Sequence, residues 1–133
     1  MTKQTLKSDI VQRLNILVVD DNQDAADTLA IMLRLKGNDV QVRYSGHEGV
    51  EAAKILLPDL VILDIGMPGL DGYQACRLIR ASSGGEAIHI YALTGYGQLE
   101  DIRKSKEAGF DQHMLKPVDF GQLLSFIEDI KLK

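Results

Sequence analysis

Paired cysteines are missing from this sequence. Cys76 stands alone, so no disulfide can form within the chain, and a reducing cytoplasmic setting is expected. Long apolar runs are missing too. The longest, such as NILVV and LVIL, fall far short of the ~20 residues that cross a bilayer. The opening residues, MTKQTLKSDIVQRL, lack the apolar stretch of a secretion signal, so no membrane contact is expected. A basic excess is absent as well. The net charge of −4 argues against direct contact with nucleic acid, which would need cationic side chains to neutralise phosphates. No internal repeat or low-complexity tract is present.

What remains is one domain's worth of chain: 133 residues, 45% hydrophobic and 26% charged. That length buries a core without staples. Residues 1–13 read as a polar leader or linker, and 14–133 as the folded domain, because composition changes sharply at Leu14.

Five short apolar runs each precede a helical pattern. LNILVVD, from Leu14 to Asp20, is continuously apolar, as suits a strand covered on both faces. Leu29, Met32, Leu33 and Lys36 then fall at helical spacing over about 23–36, and Gly37 supplies a stop. A second strand is expected near 40–44. Ser45 and Glu48 carry a capping-box signal for a helix that Pro58 ends. The third strand is DLVILD, from Asp59 to Asp64, followed by the loop IGMPGL and a third helix with Asp71 as cap. Ser-Ser-Gly-Gly at 82–85 is the clearest loop. AIHIYAL forms the fourth strand. A polar fourth helix is expected over about 98–108, a fifth strand near 110–115, and a last helix over about 119–131 capped by Asp119. Asp59 is also assigned to capping. Regular β-then-α alternation implies an α/β domain: a five-stranded parallel sheet, doubly wound, in the flavodoxin-like order 2-1-3-4-5 with helices on both faces.

In such a sheet, function gathers beyond the carboxyl ends of the strands. Asp20 and Asp21 end the first strand there, Asp64 the third, Thr94 the fourth and Lys116 the fifth. Taken singly, each has an ordinary explanation: a strand-end Asp is more often a cap or turn former, and a Lys before Pro is usually a surface residue. Together they sit at one edge of one sheet, which chance does not readily arrange. Three carboxylates at neighbouring strands repel one another, and a hard divalent cation such as Mg²⁺ relieves that repulsion. A nucleophilic carboxylate, a cation, an ammonium and a hydroxyl form a set suited to phosphoryl transfer.

VVDDN, LVILDIGMPGLDGY, ALTGYG and HMLKPV, in this order and spacing, resemble the marker segments of response-regulator receiver domains in two-component signalling. The resemblance covers about residues 14–131. It implies that Asp64 accepts the phosphoryl group and that Asp20, Asp21, Asp64 and the backbone carbonyl of Gly66 hold Mg²⁺. It implies that Lys116 pairs with phosphoryl oxygens and that Thr94 moves toward them. It implies a cis Lys116–Pro117 bond, turn roles for Pro68 and Gly72, and a rate-tuning position at Tyr96. His113 stands at the family's aromatic switch position, where Tyr or Phe is common. A partly buried strand histidine is an equal reading of it, and a histidine there could respond to pH. His47, His89 and Cys76 are read as structural.

The partners implied are a histidine kinase or histidine phosphotransfer domain, and a downstream protein target on the face of helix 4, strand 5 and helix 5. The only catalysis implied is the domain's own aspartyl phosphorylation and dephosphorylation. Gly66 and Gly95 are expected to leave the acceptor open to water. A haloacid-dehalogenase-type phosphatase is the enzymatic alternative. It wants a second Asp two residues after the nucleophile, where Gly66 stands. A flavodoxin-type module would need a phosphate loop after the first strand, where Asp-Asp-Asn-Gln-Asp repels phosphate. A receiver that is not phosphorylated is a third alternative, disfavoured by the full set of marker residues. No output domain is expected in this segment. It reads equally as a single-domain regulator or as the receiver of a hybrid histidine kinase.

Overall fold

A computed structural model describes residues 13–95 and 102–132. In chain order the elements are β1 (Asn15–Val19), α1 (Gln23–Leu35), β2 (Asp39–Arg43), α2 (Gly46–Leu56), β3 (Leu60–Asp64), α3 (Gly72–Ala81), a 3₁₀ turn (Gly85–Ala87), β4 (His89–Thr94), α4 (Ile102–Ala108), β5 (Gln112–Leu115) and α5 (Phe120–Lys131). All strand pairs are parallel, in the order β2-β1-β3-β4-β5. This is the order expected from the alternation of apolar runs and helical patterns. Most of residues 1–13, and Tyr96 with the start of the expected fourth helix, lie outside the described residues.

Alternate residues of the central strands feed two separate cores, because successive side chains of a strand point to opposite faces. Leu17, Val19, Val61, Leu63, Ile90 and Ala92 pack with residues of α2 and α3 and with Phe110. Ile16, Val18, Leu60, Ile62, Tyr91 and Leu93 pack with residues of α1 and α5. Every residue of β3 is buried, which accounts for its unbroken apolar run ending in Asp64.

The helix starts follow local chemistry. Asn22 caps α1 by accepting the Ala25 N–H, and Asp119 caps α5 by accepting the Gln122 N–H. Asp71 caps α3 in a full capping box with Gln74. The Ser45 signal is corrected in one detail. Ser45 Oγ accepts the Glu48 N–H, but the Glu48 carboxylate takes the N–H of Tyr44 rather than that of Ser45. Asp59 is a second correction. No helix starts there. Its carboxylate accepts the Asn15 N–H at 2.8 Å and ties the entry of β3 to β1, in register with the ladder. The apolar run AIHIYAL also enters β4 later than expected, since Ala87 belongs to the 3₁₀ turn.

Candidate functional site

The carboxyl ends of β1, β3, β4 and β5 meet at one rim of the sheet. Asp20 directly follows β1. Its N–H donates to Arg43 O at 3.1 Å, and its Oδ1 accepts the Asn22 N–H at 3.0 Å. The strand exit and the start of α1 therefore orient Asp20. Asp64 closes β3 and is 3% exposed. Its Oδ1 accepts the Gly66 N–H at 3.0 Å, and the N–H of Ile65 continues the bonding to β4 through Leu93 O. One carboxylate oxygen from each of Asp20, Asp21 and Asp64 lies within 4.8 Å of the others. Asp20 and Asp64 are buried, and Asp21 is exposed.

Lys116 follows β5 and reaches across β4. Its Nζ is 2.9 Å from Asp64 Oδ2 and 3.6 Å from Asp20 Oδ2. The Lys116–Pro117 bond is cis. Burial works against the ammonium, but the hydrogen bond to Asp64 and the charges of Asp64, Asp20 and Asp21 outweigh it, and the Lys116 pKa is raised. One ammonium does not balance three carboxylates. Burial pushes the Asp20 carboxyl up to about 6. The Asn22 N–H and Lys116 oppose the rise, and the neighbouring Asp64 adds to it. The cluster thus has a deficit of positive charge with two of its three carboxylates buried, and its donors are all hard oxygens. That set fits a hard divalent cation.

Thr94 closes β4 and is 3% exposed. Its hydroxyl donates to Met114 O at 3.4 Å, so it points along β5 rather than at Asp64. His113 lies half-buried on β5, with its ring 6.4 Å from that of Phe110. Its Nε2 is buried with no hydrogen-bond partner among the described residues. Burial, and then the charge of Lys106, lower its pKa and favour the neutral imidazole. Beside the acidic cluster, a cleft of about 660 Å³ lies between α1 and the segment after β5, lined by Asp20 and Lys116 together with Leu29, Met32, Val118 and Phe120.

Glycine is required at one of the two glycines beside the acceptor. A Cβ on Gly72 would stand 2.6 Å from both Asp64 O and Ile65 Cα, so only glycine lets α3 start against the end of β3. A Cβ on Gly66 would lie 3.8 Å from Asp64 Oδ1, an ordinary van der Waals contact.

The family model of the response regulator receiver domain matches residues 16–128. The chain belongs to this family. The receiver is 40% identical over 105 residues to the DNA-binding response regulator MtrA of Mycolicibacterium smegmatis, a match covering 79% of this chain and 45% of that protein. It therefore spans less than half the length of the curated relatives it matches first. It is also 34% identical over 116 residues to an uncharacterised 14.6 kDa protein of Leptolyngbya boryana, covering 87% of this chain and 88% of that one. Among solved structures, the receiver domain of a sensor histidine kinase of Pseudomonas aeruginosa superposes with a TM-score of 0.82 at 30% identity, covering 90% of this chain and 98% of that one. That neighbour holds a magnesium ion in its active-site cleft.

Receivers of response regulators are signalling proteins, and the cluster of Asp20, Asp21 and Asp64 fits the phosphorylation site of one. The order of the sheet and the family follow the reading of the sequence. DNA binding belongs to the name of the longer mycobacterial relative and qualifies the expectation drawn from charge alone. No helix among the described residues is long and apolar enough to cross a membrane. Sequence reasoning missed Arg80 and Asp111, which tie the start of β5 to α3. The only signal was a basic residue in the last turn of α3, just before the Ser-Ser-Gly-Gly loop.

Proposed function

We propose that the receiver takes a phosphoryl group from a phosphohistidine of a histidine kinase or histidine phosphotransfer domain onto Asp64, in a Mg²⁺-dependent reaction. The observation that carries this is the meeting of three carboxylates, with one oxygen of each within 4.8 Å of the others, and an ammonium 2.9 Å from Asp64, at the switch point of the sheet. Asp20, Asp21, Asp64 and the Gly66 carbonyl would hold the ion, which when bound neutralises charge on the transferred group.

The chain's own residues do the rest. The Gly66 N–H fixes the Asp64 carboxylate through Oδ1. An oxygen of that carboxylate attacks phosphorus, the P–N bond breaks, and the partner's imidazole leaves with the electron pair. Lys116, already raised in pKa and beside Asp64, stabilises the negative charge that develops on the phosphoryl oxygens. The apolar side chains of the cleft offer the partner a surface next to the acceptor. The added charge draws the Thr94 hydroxyl from Met114 O toward the phosphoryl group, and His113 moves into the vacated space. The face of α4, β5 and α5 then changes for a downstream protein in the cytoplasm. Direct contact with nucleic acid or membrane by this segment forms no part of the reading.

Profiling phosphotransfer from candidate histidine kinases and phosphotransfer domains tests it. Fast transfer from at least one of them to the native chain, and none to D64N, is expected. Equal transfer to D64N would refute the assignment.

A further inference from the structure

Arg80 lies in the last turn of α3, far from the phosphorylation rim, and its side chain is 20% exposed. Its guanidinium binds two separate segments. Nε and Nη2 donate to Gly109 O at 2.9 and 2.7 Å, across the connection from α4 to β5. Nη1 donates to Gly85 O at 2.9 Å, and also to Glu86 O and Ile88 O, around the 3₁₀ turn that leads into β4. Nη2 pairs with Asp111 Oδ2 at 2.8 Å. Asp111 in turn starts the last ladder: its Oδ2 accepts the Ile90 N–H and its own N–H donates to Ile90 O, both at 2.8 Å.

The strand held this way needs a second anchor. β5 has four residues and lies at the edge of the sheet, with β4 as its one partner among the described strands. Yet it carries His113 and leads directly into Lys116. A ladder of four residues on one side leaves such a strand free to fray or slide, since exposed edges are the weakly held part of a sheet. Gly109 makes the anchor sterically feasible. It has φ +111, and a Cβ there would stand 2.9 Å from Arg80 Cγ.

We propose that Arg80 is a positioning residue for the phosphoryl-transfer reaction: by clasping Gly109 and Asp111 it sets where β5 starts, and so where Lys116 stands relative to Asp64. This rests on the function proposed above. The clasp touches neither β1 nor β3, so the carboxylates do not depend on it. A planar fork that reaches several carbonyls and a carboxylate at once is specific to arginine, and lysine cannot reproduce it.

The test uses the full chain with acetyl phosphate as donor, well below the melting temperature of each variant, with Mg²⁺ affinity measured separately by calorimetry. For R80K the maximal labelling rate falls about fivefold, since misplacing a positioned group by about 1 Å costs ~100-fold and a smaller displacement costs less. Its Mg²⁺ dissociation constant stays within about twofold of the native value. D111N, which keeps the shape of the side chain, shows the same pattern at about twofold and carries the test should R80K not fold. N38A is the stability control. It removes a buried amide that joins Leu14 N–H and Leu33 O at the far side of the sheet, so it lowers Tm and leaves the labelling rate unchanged. Native labelling rates in R80K and D111N, or losses no larger than in N38A at equal Tm, overturn the inference alone. No labelling of the native chain overturns the functional reading and this inference with it.

Discussion

Lys116 and Asp64 are joined at 2.9 Å although their strands are not neighbours, because the lysine extends over β4 from the end of β5. The pair has two opposed consequences. The ammonium offsets carboxylate charge before any cation arrives, and it competes with the cation for the same oxygens. K116M should therefore slow labelling by acetyl phosphate about 100- to 1000-fold, the range for losing one electrostatic stabiliser of a transition state. It should also tighten Mg²⁺ binding a few-fold. Rate assays and calorimetry on one preparation check both, and weaker Mg²⁺ binding in K116M would contradict the competition.

Asp20 sets a pH dependence of stability in the absence of divalent ions. Its folded pKa of about 6 lies above its ordinary value of 3.8, so the folded chain holds a proton that the unfolded chain has released. Stability from this group therefore falls as pH rises from about 4 to about 6, and then stays level. The penalty is on the order of 3 kcal/mol at most. Urea unfolding in a chelator should show D20N more stable than the native chain at pH 7 and matched to it near pH 4. Saturating Mg²⁺ should narrow the gap at pH 7.

His113 acts in the opposite sense. Its folded pKa is lowered from 6.5 by burial and by Lys106, so its contribution is full above 6.5 and is lost as pH falls. H113F should remove that acid-side loss. A native-minus-H113F stability difference that stays flat between pH 7.5 and pH 5 would contradict the neutral, buried imidazole.

Gly72 and Leu57 give a matched pair of backbone predictions. G72A places a methyl group against Asp64 O and Ile65 Cα and should cost about 2 kcal/mol or more, because both contacts are with backbone that cannot yield. L57G should go the other way. Leu57 ends α2 with φ 45, a left-handed conformation that costs a leucine about 1–2 kcal/mol, and the residue is 51% exposed. A gain of about 0.5–1 kcal/mol in urea unfolding is expected.

These cases separate what was legible in the sequence from what was not. The sheet order and the rim of the site were legible because β3 is buried on both faces, and its uninterrupted apolar run points straight at Asp64. The caps at Asp71 and Asp119 were legible because capping is a local interaction, settled within three or four residues. Asp59 was misread for the same reason. Its partner, the Asn15 N–H, is 44 residues away, and no local pattern announces it. Arg80 was missed likewise: its acceptors lie up to 31 residues along the chain and are mostly backbone carbonyls, which any sequence supplies. The left-handed turn at Leu57 left no glycine to mark it. Local chemistry and burial show in a sequence, whereas long-range side-chain ties do not.

Intact-protein mass spectrometry after incubation with acetyl phosphate and Mg²⁺, with reductive trapping of the acyl phosphate to locate it, addresses the acceptor most directly. One phosphoryl group per native chain, placed on Asp64, is predicted, with none in D64N and none in excess chelator. An equal yield in D64N, or labelling of the native chain that ignores the chelator, would contradict the account.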